Sequence, residues 1–151
     1  MKNKLIAALA ASTALLLSNC ATRMSNDPTA PTGPPDATVS MDLAQASYWG
    51  SAGAGGGTLR YQGRSHPISV KMLGGGGLGA QSINATGKVY HLNSLAALPG
   101  TYTGARSGLT LVNGVMHSRL ENDKGTVIYL TGKTTGLSTS FGIDKVLIEL
   151  K

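Results

Sequence analysis

From Thr58 onward the apolar side chains recur at every second residue. Leu59 and Tyr61 alternate with Thr58, Arg60 and Gln62, and Ile68, Val70 and Met72 alternate with Ser69 and Lys71. A period of two marks strands with one wet face. The pattern resumes in "GKVYHL" and "SGLTLVNGVMHSRL", and ends in the nearly continuous apolar runs "TVIYL" and "KVLIEL". No long run of helical period interrupts it, so the crossover helices of a parallel sheet are missing. The expected fold is mainly β: a small, glycine-rich antiparallel β-barrel or sandwich with one or two short helices.

The connections have their own signals. "GRSHP" reads as the link of a hairpin, and "NDKG" as a further turn. Asn113-Gly114 lies between alternating apolar residues, and both residue types accept the positive φ of a type I′ turn, so a hairpin is predicted there. "NSLAALPG" predicts one or two helical turns closed by Pro99-Gly100. A second short helix is predicted over Met41 to Tyr48, where Met41, Ala44 and Tyr48 recur at helical spacing, with Ser40 as N-cap and Asp42 in the first turn.

Two glycine clusters, "GSAGAGGG" and "LGGGGLGA", interrupt the strands. Gly74, Gly76 and Gly79 satisfy G-x-G-x-x-G, yet a dinucleotide site also needs a following helix and an acidic residue about twenty positions on. "AQSINATG" is a poor helix, and no Asp or Glu occurs between Asp42 and Glu121. No Gly-Lys-Ser/Thr follows to make a phosphate loop. The glycines are expected to let strands bulge, bend and pack closely at a barrel corner.

The first residues read as an address. Lys2 and Lys4 precede the uncharged, mostly apolar run Leu5 to Leu17, the pattern of an export signal and too short to span a membrane as a helix. Leu17-Ser18-Asn19-Cys20 resembles the lipobox of bacterial lipoproteins, with Asn19 where the motif usually carries Gly, Ala or Ser. The resemblance implies that Cys20, the single cysteine, receives a diacylglycerol and becomes the new N-terminus. Acyl chains anchor durably, at roughly 0.8 kcal/mol per buried methylene. Ala21 after the cysteine implies the outer membrane, with the chain facing the periplasm. Residues 21 to 40 hold four of the six prolines and only two sizeable apolar side chains, Met24 and Val39, and read as an extended tether. The expected organisation is a signal peptide over 1–19, lipidated cysteine and tether over 20–39, and one β domain over 40–151.

Motifs of catalysis are sparse. The 78-residue stretch from Leu43 to Leu120 contains no acid, which disfavours hydrolysis by paired carboxylates. His66, His91 and His117 are far apart in the chain and form no metal-ligand spacing. "TGLSTS" lacks the second glycine of a nucleophile elbow. No metal or cofactor is expected.

The acid-free stretch instead holds Arg60, Arg64, Lys71, Lys88, Arg106 and Arg119, which read as a basic set with no acidic partner. Without residues 1–19 the chain has 11 basic and 7 acidic residues, net +4. These six residues are the expected binding set for an anionic envelope component, since a basic face attracts lipid head groups and lipopolysaccharide phosphates. Nucleic acid is not expected, because no aromatic-basic interleaving of a stacking platform is present.

The C-terminal hundred residues resemble two related groups. "GGLGAQ" followed by a strand, with "GTVIYLTGKTTGLSTSFGIDKVLIEL" at the end, looks like the second half of the SYLF domain. The order "VYHLNSLAALPGTYTG", "GLTLVNG", "TGLSTSFG" is similar to the EipA-like envelope-integrity proteins of the bacterial periplasm. Gly79, Ala80, Gln81, Gly136, Leu137 and Gly142 carry the match. The basic amphipathic helix to which SYLF proteins owe lipid binding is missing. The resemblance implies a small β-barrel-like domain and a non-catalytic role in envelope integrity.

The expected function is that of an outer-membrane lipoprotein binding an anionic lipid, lipopolysaccharide or an envelope protein. Two alternatives stand beside it. One is an enzyme acting on cell-wall or lipid substrates with a site containing His66, His91 or His117, and the other is a structural surface antigen.

Overall fold

The computed structural model describes residues 33–151, with all side chains of that span except those of 75–77, 105–112 and 138–144. The fold is a closed antiparallel β-barrel. Four strands, β1 (Ala37–Tyr61), β2 (Arg64–Tyr90), β3 (Gly100–Asn122) and β4 (Val127–Leu150), pair in the order β1-β2-β4-β3, and the one described helical element is a 3₁₀ turn, Leu95–Ala97.

The strands run for 23 to 27 residues. At about 3.3 Å per residue each would stretch to roughly 80 Å, too long for a straight strand around one core. They bend instead. Register breaks between Tyr48 and Gly50 in the β1–β2 pair, and between Gly74 and Leu78 in the β2–β4 pair. The second break falls within a glycine cluster and the first, at Trp49, borders one, where a missing side chain lets the backbone bulge.

Beyond the bend each half lies back against the other. A Cβ added to Gly53 would approach the carbonyl of Ala44 at 3.1 Å, and one on Gly55 or Gly57 would collide with the carbonyl of Asp42 or Ser40. The pairs 53/44, 55/42 and 57/40 descend in step, so the halves of β1 run antiparallel at a separation that only glycine permits. Gly104 meets the Arg119 carbonyl of β3 in the same way, at the other edge of the sheet. Glycine thus closes both seams.

The predicted helix over Met41 to Tyr48 is not formed. The segment is strand, with Met41, Leu43, Gln45 and Ser47 buried and Asp42, Ala44, Ala46 and Tyr48 exposed. Pairing with residues 78–85 gives the segment an unbroken ladder with β2 and buries one of its faces, and an eight-residue helix has no comparable compensation. The Asn113-Gly114 hairpin is also absent: both residues lie within β3, opposite Thr135 and Thr134. "TVIYL" and "KVLIEL" are the two ends of one strand, β4. The first hairpin turns two residues before "SHP", at Gln62-Gly63, whose φ values of 49° and 76° are those of a type I′ turn. His66 and Pro67 already belong to β2. β1 begins at Ala37, three residues before Ser40, and the Asp36 carboxylate accepts the Leu92 amide at 3.0 Å.

The core is aliphatic, with Met41, Leu59, Ile68, Val70, Ile128 and Ile148 fully buried. Its base is plugged by the connection around the 3₁₀ turn. Tyr102 donates to the Leu98 carbonyl at 2.6 Å. Asn122 donates to the Ala97 carbonyl and accepts the amides of Lys124 and Thr126, while Lys124 Nζ donates to the carbonyls of Ala96 and Pro99. Burial pushes the Tyr102 phenol well above the ordinary tyrosine range, against the opposing hydrogen bond with Asn122. Toward the bend the inward positions become polar: Gln81 donates to Gln45 at 3.0 Å, Gln45 to Ser47 at 3.3 Å, and Ser47 shares a 3.0 Å hydrogen bond with Ser51.

Candidate anion-binding groove

The period of two that sends Val39, Met41 and Ile128 inward sends their neighbours outward onto one layer of the barrel. Register aligns those neighbours in rows across four strand segments. One row is Thr38, Lys88, Tyr129 and Arg119, and the next is Ser40, Thr86, Thr131 and His117. Thr58 and Arg60, from the returning half of β1, add a wall at one side. The result is an open groove of about 520 Å³ near the base of the barrel.

Gly87 lies in the groove between Thr86 and Lys88. A Cβ there would press on Leu130 Cδ2 at 2.7 Å and the Tyr129 carbonyl at 2.8 Å, so the sheet is thin at this point. The groove surface is rich in hydroxyls, from Thr38, Ser40, Thr58, Thr86 and Thr131. Lys88 and Arg60 supply positive charge. The chemistry suits a ligand that combines anionic groups with hydroxyls, since cations hold phosphate and side-chain hydroxyls both donate and accept.

Arg119 has a different task. Its Nε donates to the Tyr129 hydroxyl at 3.1 Å, its Nη2 to Glu121 at 2.7 Å, and its guanidinium lies 5.8 Å from the centre of the Tyr129 ring. Tyr90 meets that ring edge-on at 5.8 Å. Arg119 therefore orients Tyr129 at the groove, with its own charge largely answered by Glu121. His117 faces Thr131, whose hydroxyl is 3.4 Å from Nδ1.

The structure divides the six expected basic residues. Arg60 and Lys88 line the groove, and Arg119 adjoins it only through Tyr129. Lys71 is on the opposite layer, where Glu149 lies 3.6 Å away; both side chains are more than half exposed, and such a pair adds little to stability. Arg64 is at the first hairpin, opposite Tyr61. The side chain of Arg106, like the whole of Cys20, lies outside the described residues. Sequence reading missed the acidic partners Glu149 and Glu121, which adjoin Lys71 across strands and Arg119 two residues along β3. It also missed the hydroxyl rows, although their signal was present in the polar positions of "ATVSMD" and "YLTGK".

His66, His91 and His117 do not converge, and among the described residues no group of three metal-ligating side chains is gathered. The barrel interior leaves about 30 Å³ between Met41, Met72, Ile83 and Leu130, room for about one water and far below the ~300 Å³ of a ligand pocket. Among the described residues no helix is long and apolar enough to cross a membrane. The fold and groove define a small, filled, antiparallel β-barrel with a concavity on its outer face that carries Arg60, Lys88 and several hydroxyls. Comparison with family models, curated proteins and solved structures gives no match to the chain.

Proposed function

We propose that this chain is a non-catalytic lipoprotein, anchored through Cys20 in the outer membrane and facing the periplasm, whose groove binds an anionic envelope component in support of envelope integrity. The ligand class is a phosphorylated glycolipid of the lipopolysaccharide kind. One observation carries the reading: Arg60 and Lys88, far apart in sequence, share a groove with the hydroxyls of Thr38, Ser40, Thr58, Thr86 and Thr131. Lys88 and Arg60 take the phosphates, the threonine and serine hydroxyls take sugar oxygens, and Tyr129 offers an aromatic surface at the groove. The export signal, the lipobox at Cys20 and the resemblance to envelope-integrity proteins support the location.

The test is binding of lipopolysaccharide and of its dephosphorylated form to the purified chain. Arg60→Glu or Lys88→Glu should lower affinity roughly tenfold or more, because each turns an attraction into a repulsion. Lys71→Glu on the opposite layer should leave it unchanged, and raising the salt to physiological strength should weaken binding. Equal affinity for the dephosphorylated form would sink the reading. The enzymatic alternative retains His117, which lines the same groove; chemical conversion of the bound glycolipid would favour it.

A further inference from the structure

The bent end of the barrel, away from the groove, has a different surface. Tyr48, Trp49, Leu73, Leu78 and Leu137 are large apolar side chains that are mostly exposed, Trp49 at 82%. Tyr48 stands directly opposite Leu78, and Leu137 is opposite Ala80, one step away on the same face. Leu73 points out from the other layer. Elsewhere among the described residues alternation turns the large apolar side chains inward, Val115 at 60% exposure excepted, so these residues gather at this end.

Trp49, the only tryptophan, is held there at a cost. It is the residue at the Tyr48/Gly50 register break, and its φ of 63° lies in the left-handed region that bulky side chains avoid. A bulge re-aims the side chain it extrudes. In a chain that carries glycine at the very next position, strain at the one large aromatic residue points to a use for its position.

We propose that this end is a wedge that inserts Trp49, Tyr48, Leu78, Leu137 and Leu73 into the surface of a lipid bilayer. Apolar residues project from both faces as well as from the apex, and a bilayer surrounds a wedge on all sides, whereas an ordinary protein partner covers one face. Tryptophan and tyrosine suit the head-group level, and leucine the acyl boundary below it. Exposed lysines stand behind the tip on each face: Lys145 directly opposite Leu73, and Lys133 four residues before Leu137, about 13 Å back. They fit an anionic head-group layer. Strand pairing runs up to the register breaks, and the polar interior at this end is satisfied among Gln45, Gln81, Ser47 and Ser51, so the wedge brings few unpaired groups into lipid. Lys88 in the groove is ten residues further along β2 than Leu78, about 33 Å away, so the wedge stands independently of the glycolipid reading.

The single tryptophan makes the wedge its own reporter, however the N-terminus is attached. The full chain is mixed with vesicles of phosphatidylcholine and phosphatidylglycerol, with and without acyl-chain bromination. The expected result is a blue shift of Trp49 emission and its quenching by the brominated lipid. Leu78→Asp with Leu137→Asp should abolish both responses while thermal unfolding stays that of the parent, since both side chains are exposed. Emission unchanged by vesicles that sediment with the chain would overturn the proposal. So would emission already blue-shifted without lipid and restored by dilution, because a second copy of the chain would then cover the tip. Arg60→Glu should leave the Trp49 response intact, which separates failure of the groove from failure of the wedge.

Discussion

Two glycines in the same strand pair are required for opposite reasons. At Gly63, φ is +76° and a Cβ would meet nothing within 4 Å, so the requirement is conformational. At Gly55 the backbone is ordinary, but a Cβ would run into the Asp42 carbonyl and Leu43 Cα of the facing half-strand, and backbone cannot yield as a side-chain end can. Gly63→Ala should therefore cost about 1–2 kcal/mol. Gly55→Ala should exceed the ~1–3 kcal/mol of ordinary overpacking and open the seam. Urea midpoints of the two variants compare them directly, and a smaller loss at Gly55 would contradict the closed seam. Tyr102 adds a pH dependence. Its phenol is held protonated in the fold by burial, whereas in the unfolded chain it ionises near its ordinary value of 10.0. Above that pH the unfolded state binds fewer protons than the folded one, so stability is full below about pH 10 and falls as pH rises. Tyr102→Phe should flatten that fall while losing about 1 kcal/mol at neutral pH, with the Leu98 carbonyl left without its donor.

At the scale of elements, the segment Met41 to Tyr48 shows where sequence reading was legible and where it was not. Met41 and Leu43 alternate as a strand should, but the next two inward positions are Gln45 and Ser47, and polar side chains inside a barrel erase the alternation that reveals a strand. Helical spacing of Met41, Ala44 and Tyr48 then stood out by default. The strand makes a specific demand. Met41→Ala should cost about 2–5 kcal/mol because it empties the core. Ala44→Thr, on the exposed face, should be neutral or stabilising within about 1 kcal/mol, as β-branched residues suit strands. Thermal unfolding of both variants checks this, and a helix would rank the second change as destabilising. Asn113-Gly114 misled in a related way. The dipeptide permits a turn, but both flanks pair with β4, and extended backbone is open to both residues.

At the scale of the molecule, folding one long sheet back on itself decides which surfaces face together. It puts Lys71 on one layer and Lys88 on the other, although both belong to β2, and it brings Arg60 beside Thr38 and Ser40 by returning β1 upon itself. The hydroxyl-lined groove and the exposed apolar end consequently occupy opposite ends of the barrel, one near the base and one at the bend. Because roughly 30 Å separates them, the effects of Lys88→Glu on glycolipid binding and of Leu78→Asp on Trp49 insertion should be independent, as distant sites usually are.

Local chemistry determined the strand-rich class, the single core, the glycine bends, the turn at "NDKG" and the outward direction of Arg60 and Lys71, because each depends on alternation or on conformational freedom within a few residues. Which basic residues share a face, which carboxylates answer them, and that Trp49 stands outside the core were decided only by tertiary structure. Those outcomes depend on the register between segments dozens of residues apart and on the two seams where glycine lets backbone meet backbone. Neither leaves a mark in any short window of the sequence.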